Sequence, residues 1–189
     1  MDFYEVVYQR RAIRKYKPDA VPREVLHKIL DAANWAPSGM NLQQWEFIVV
    51  TGEKKKQLGE SYRQAAESFT RDWEEKRRQA FLEFAQNYGG APVVIVALTD
   101  ATDDPNVRKM HLESVSAAFE NLLLAAYAEG LGTCWMTGPL QDEASMRRIL
   151  DIPPEKEIVA VTPVGYPDMV AKAPSRKDPD LTSKVRWVE

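Results

Sequence analysis

The stretch GLGTCWMTG, residues 130–138, is where the fold is decided. It opens like GxGxxG, the glycine fingerprint of a dinucleotide-binding strand–turn–helix unit. Trp135, however, stands where the third glycine is needed, and a strand follows rather than a helix, so a phosphate loop of that type is rejected. GTCWMT reads instead as a strand. Its end, Thr137–Gly138, either offers backbone N–H groups to a ligand at the sheet edge or makes an ordinary Gly-Pro turn.

Working upstream, residues 107–129 form the longest predicted helix. Leu112, Val115, Phe119, Leu122, Leu123 and Ala126 make one face, while Ala117, Ala118, Leu124, Ala125 and Ala128 make the other nearly apolar as well. A helix apolar all round is buried, in a small domain partly by a second subunit. A charge at Leu123 is therefore expected to break a dimer. Gly130 is placed to end this helix.

Further elements follow from periodicity and punctuation. Residues 3–9 read as a short helix, and a second helix starts at Pro22 and stops before Pro37. WEFIVVT reads as a strand. Residues 53–88 make one or two helices carrying an aromatic stripe from Phe69 to Tyr88, which is either packing or a pocket wall. The unbroken apolar run in GGAPVVIVALTD is a strand buried on both faces. DEASMRRILDIP is a helix and EIVAVTPVGYP a fourth strand. The ending KVRWVE is either an edge strand or an arm that docks on a partner. These elements describe a single helix-flanked mixed sheet.

Composition narrows the function. The chain has 189 residues and a net charge of −3, so nucleic-acid attraction through a basic surface is not expected. The longest apolar stretch, near residues 115–128, is interrupted by Glu120 and Asn121 and falls short of a membrane span. No leader is expected from the N-terminal residues, and the lone Cys134 suits a reducing cytoplasm. Cys134 reads as a small buried apolar residue with no histidine to activate it. His27 reads as exposed, His111 is open to a role, and no residues have metal-ligand spacing.

Two further stretches are candidates for binding. RRAIRKYK, residues 10–17, concentrates positive charge in an acidic chain. It is either a solvated loop or an anion site, since guanidinium groups suit multidentate phosphate contact. PSGMN, residues 37–41, is either a helix-to-strand turn or a loop whose glycine lets a ligand approach the backbone. Arg176 alone is uninformative.

Taken together and in order, RRAIRKY (10–16), APSGMNLQQWEF (36–47), NLLLAAYAEGLGTCWMTG (121–138) and VGYP…PSRK (164–177) closely resemble the nitroreductase family over nearly the whole chain. The resemblance implies an α+β fold, a central mixed or antiparallel sheet flanked by helices, in an intertwined homodimer with exchanged C-terminal arms. It implies one FMN-binding domain over 1–189, with 53–90 as a helical lid over the substrate channel. Arg10, Arg11 and Arg14, with the backbone of Ala12, would hold the FMN phosphate and ribityl chain, and Arg176 would complete the clamp. Pro37, Ser38, Gly39 and Asn41 would reach the flavin of the other protomer. Trp135, Met136, Thr137 and Gly138 would run past the ring, with a backbone N–H aimed at N5. No catalytic side chain is then required, because the flavin carries the chemistry. NADH or NADPH would donate hydride, and a nitroaromatic, quinone or related acceptor would be reduced in a ping-pong cycle. The same fold also serves dehalogenation and flavin fragmentation, and a flavin carrier would need the same residues. Four departures bear on the acceptor. Thr137 stands where many members have glutamate, Gln44 replaces a proline before Trp45, Ala12 replaces a hydroxyl residue, and Pro174 occupies the position where some members have a flavin-contacting lysine.

Overall fold

A computed structural model describes residues 1–189. Four strands form one antiparallel sheet in the order β1 (Glu46–Val50), β2 (Val93–Asp100), β4 (Lys156–Gly165), β3 (Gly132–Thr133). Six α-helices accompany it: α1 (Phe3–Gln9), α2 (Arg23–Asn34), α3 (Gly52–Phe69), α4 (Glu75–Asn87), α5 (Pro105–Ala128) and α6 (Glu143–Leu150).

The layers follow from the two-residue period of β2. Val94, Val96 and Leu98 enter one core with Leu58, Tyr62 and Met146 from α3 and α6. Val93, Ile95 and Ala97 enter a second core with Ile29 of α2 and Val115 and Phe119 of α5. Because β2 faces a core on both sides, every one of its positions but the last is buried, which is why its sequence is apolar without alternation. The observed sheet is antiparallel throughout, one of the two arrangements expected.

Helix ends obey local chemistry. Asp104 caps α5 by accepting from the N–H groups of Asn106 and Val107, with Pro105 following. Gly130, at φ +78°, ends it, and the Leu131 N–H returns to the Ala126 carbonyl at 2.8 Å.

Three expectations need correction. The strand expected over GTCWMT pairs only at Gly132 and Thr133, with one further bridge from Met136 to Val161. Opposite the break, β4 carries Pro163, which has no N–H to contribute. The Cys134 N–H bonds instead to the Thr162 hydroxyl at 3.1 Å. KVRWVE forms no edge strand in its own chain, and Trp187 and Val188 are largely exposed. Leu123 is only 1% exposed within the chain, packed in the α2–α5 core. The buried line of α5 thus belongs to its own chain's core, and a charge at Leu123 would disrupt folding before it tested assembly.

The aromatic stripe is packing. The Phe81 ring meets Trp73, Phe69 and Tyr62 edge-on, with centroids 5.2, 5.8 and 6.1 Å away, between α3 and α4. Gly59 lets the two helices close. A Cβ there would lie 2.0 Å from the Gln86 carbonyl oxygen. Gly59→Ala should gain about 1 kcal/mol of helix propensity and lose more to overpacking, which costs about 1–3 kcal/mol or more when backbone must move. The expected result is a melting temperature lowered by several degrees; an unchanged value would show that α4 can give way freely.

Candidate functional site

The basic stretch is anchored by its apolar residues. Ile13 and Tyr16 are buried. The Ile13 N–H donates to the Thr133 carbonyl at 2.8 Å, the Tyr16 N–H to Gly89 at 2.9 Å, and the Tyr16 hydroxyl to the Ile13 carbonyl at 2.5 Å. Gly89, at φ +68°, has no room for a side chain: a Cβ would lie 2.2 Å from the Arg14 carbonyl oxygen. These ties hold the loop between β3 and the end of α4.

The same loop recruits the tail. The Lys17 N–H donates to the Tyr166 carbonyl and the Asp168 N–H to the Lys15 carbonyl, both at 2.9 Å. An exposed ion pair between Lys15 and Asp168, 2.8 Å, reinforces this short ribbon. It raises the lysine pKa and lowers that of the carboxyl, each chiefly through their hydrogen bond. The chain after residue 168 therefore runs beside residues 10–14.

Where the two segments lie together they line an open cavity of about 390 Å³. The loop contributes Arg10, Arg11, Ala12 and Arg14; the tail contributes Lys172, Pro174 and Arg176. Of its five cationic side chains, only Arg10 has an acidic partner, Glu120 of α5 at 3.6 Å. Arg11 donates one bond to the Arg10 carbonyl at 2.6 Å, while its Nε is buried with no partner. An orphaned guanidinium donor among uncompensated cations calls for a bound anion.

The cationic field reaches the broken strand. Burial pushes the Cys134 thiol pKa up, and Arg14 and Arg10 oppose it. Cys134 is buried, as expected, and remains a protonated apolar residue. Trp135 is partly exposed and lies edge-on to Phe119 with ring centroids 4.7 Å apart. Met136 is buried and Thr137 exposed. Gly138 begins a three-ten turn above Tyr62 of α3, whose hydroxyl would lie 2.7 Å from a Cβ at that position. Burial raises the Tyr62 pKa to about 12, against the pull of Arg14. The phenol is therefore protonated at neutral pH.

The PSGMN loop does not join this cavity within one chain. The Gly39 N–H donates to the Ser114 hydroxyl at 3.2 Å, which docks the loop on the first half of α5. Ser38 accepts from the Gln43 N–H at 3.0 Å, and the Gln43 side chain reaches Asn41 at 2.9 Å. Met40, Asn41 and Gln43 all hold positive φ without being glycine, a local strain of the kind that clusters at functional sites. Gln44 is buried with both amide atoms unpartnered, and neighbouring Trp45 bonds Asn34.

Other features lie outside these groups. His27 is exposed, and the buried His111 uses Nδ1 on the Asp100 carbonyl at 2.9 Å, tying α5 to β2. A cavity of about 690 Å³, lined by α2, the end of β1 and the start of β2, contains none of the expected site residues. No helix is long and apolar enough to cross a membrane, and no acidic, histidine or cysteine cluster could hold a metal.

Sequence reasoning did not single out Lys172, Glu120 or Tyr62. Lys172 had a signal: it lies two and four residues before Pro174 and Arg176, which places all three on one face of an extended segment. Glu120 and Tyr62 had none, because their partners are remote in sequence.

The sequence model of the Nitroreductase family matches residues 7–166. A Methanothermobacter thermautotrophicus protein bearing the name NADH dehydrogenase/NAD(P)H nitroreductase is 34% identical, the match covering 99% of this chain and 88% of that protein. An iodotyrosine deiodinase from Thermotoga neapolitana is 33% identical over 87% of this chain and 88% of its own. Among solved structures, an FMN-dependent nitroreductase from Clostridium difficile R20291 superposes with a TM-score of 0.74 at 30% identity, covering 98% of this chain and 99% of that one.

Proposed function

The chain belongs to the nitroreductase family, and from that premise we propose that it is an FMN-dependent NAD(P)H oxidoreductase reducing a nitroaromatic, quinone or related acceptor. The observation that carries the proposal is the cavity where Arg10, Arg11, Arg14 and Arg176 converge with a single acidic neighbour. A phosphate monoester brings close to two negative charges and three acceptor oxygens, and the orphaned Arg11 Nε supplies a donor already desolvated.

In this reading the four arginines and the Ala12 backbone hold the phosphate end of FMN. Residues Trp135–Gly138 would hold the ring end of FMN, with the backbone N–H of Thr137 or Gly138 available to its reactive edge. FMN, when bound, would supply the hydride-transfer chemistry that links a nicotinamide donor, NADH or NADPH, to the acceptor in two half-reactions. The protein's part is placement. Tyr62 beneath Gly138 leaves that residue no side chain and holds the turn in position, and Glu120 orients Arg10. The α3–α4 unit touches both ends of the site, through Tyr62 and Gly89, which suits residues 53–90 to act as a lid that governs access. Pro37, Ser38, Gly39 and Asn41 are assigned to the partner's flavin, so the complete site belongs to a homodimer with exchanged C-terminal arms. The whole of 1–189 is one such domain, working in the cytoplasm.

The test is an absorbance spectrum of the purified protein before and after anaerobic addition of NADH and, separately, NADPH. Flavin bands that bleach establish the oxidoreductase and name its donor. Bands that persist with both donors point to a carrier and sink the enzymatic reading. A second reading is reductive dehalogenation, favoured by the identity to the Thermotoga deiodinase. Release of iodide from an iodinated tyrosine by the reduced protein, with no turnover of nitroaromatics or quinones, would select it.

A further inference from the structure

Residues 171–176 have no regular secondary structure, yet their side chains sort by alternation. Ala171 packs against the core of α3, α4 and α6, while Lys172, Pro174 and Arg176 all line the cavity facing the basic loop. Side chains two residues apart in extended chain share a face. Lys172 is exposed and stands in no ion pair. Of the neighbouring lysines, Lys15 is already held by Asp168. Lys172 therefore brings a free ammonium to a site whose guanidinium groups come mainly from the opposite wall.

The two kinds of cation do different work. A guanidinium fixes a phosphate by directed bonds in its own plane, whereas an ammonium is a mobile point charge with three donors. Arg10, Arg11 and Arg14 come from a loop held by backbone bonds and buried anchors. Lys172 follows Ala171, which packs on the core, and its own side chain is exposed, so its ammonium has solvent-facing space in which to meet the anion.

We infer that Lys172 is a fifth cationic ligand of the bound phosphate monoester, closing the tail side of the site together with Arg176. The inference rests on the FMN reading above and adds a residue to it. Lys172 discriminates between FMN and the phosphate-free riboflavin, because it touches the phosphate end alone.

The experiment is a titration of the full-length chain with FMN and with riboflavin, followed by flavin fluorescence at several salt concentrations. The proteins are wild type, Lys172→Ala, Lys172→Ala/Pro174→Lys and Arg14→Ala. Lys172→Ala should weaken FMN binding by about five- to tenfold, the scale of one solvent-screened charge-assisted contact. It should flatten the dependence of affinity on salt and leave riboflavin affinity unchanged. The double variant should recover most of the loss, because position 174 shares the face. FMN affinity unchanged in Lys172→Ala, or FMN and riboflavin weakened equally, overturns the inference. If Arg14→Ala still weakens FMN in that case, the FMN reading stands without Lys172. If wild type binds no FMN, that reading fails and the inference falls with it.

Discussion

Arg14→Ala should lower FMN affinity by about ten- to a hundredfold, the equivalent of the roughly 1.5–3 kcal/mol carried by a hydrogen bond to a charged group. The variant isolates the side chain. The backbone at this position is held independently, by the sulfur of Met169 on the Arg14 N–H at 3.3 Å and by neighbouring bonds of Ile13 and Tyr16. Arg14 is exposed, and nothing in the core depends on its guanidinium. Riboflavin provides the control, because it lacks the phosphate and should bind wild type and variant alike. Acidity provides a second. A phosphate monoester loses its second proton near pH 6, and cations around it favour the dianion. FMN affinity should therefore be full above that pH and decline as pH falls through it, and the gap between wild type and variant should narrow in step. Unchanged FMN affinity in Arg14→Ala at neutral pH would identify residues 10–17 as a solvated basic loop and remove the main support for the proposed function.

The second large effect concerns assembly. Leu124, with Ser116, Glu120 and Tyr127, lies on the face of α5 that its own chain covers incompletely. The N-terminal helix α1 packs beside α5 and exposes Phe3, Tyr4 and Tyr8, and Trp35 and Met40 are more exposed still. These exposed aromatic and aliphatic side chains are candidates for the proposed dimer interface. Leu124→Glu, placed on the uncovered face, is expected to convert the proposed dimer to monomer and to release FMN in the same step, since on the proposed function Pro37–Asn41 then serve no second flavin. Light scattering reports the mass, flavin fluorescence the release, and thermal unfolding confirms that the monomer is folded. A folded monomer that retains FMN would contradict the cross-subunit site. A dimer that persists would place the interface elsewhere. Leu123→Glu cannot serve, because Leu123 is enclosed within its own chain.

The physical origin of each feature explains how legible it was. Strand β2 could be read directly, because a strand with a core on each face needs apolar residues at consecutive positions. The end of α5 was legible because Gly130 tolerates the left-handed conformation that the cap requires. The loop at 10–17 showed its charge but not its purpose. That purpose depends on a ribbon formed with residues 166–168, and a pairing across so long a separation leaves no local periodicity to read. The family resemblance bridged this gap for Arg176 but passed over Lys172, whose place follows from alternation once the ribbon fixes the tail.

Local sequence chemistry by itself determined the helices, the two central strands, the caps and the buried cysteine, because neighbouring residues decide those through period, turn geometry and hydrophobicity. Tertiary structure alone decided that β3 breaks opposite Pro163, that Leu123 belongs to the chain's own core, and that Glu120 and Tyr62 meet Arg10 and Gly138. Each of these is a contact between segments distant in sequence, fixed by how two cores pack on one sheet rather than by any residue's immediate neighbours.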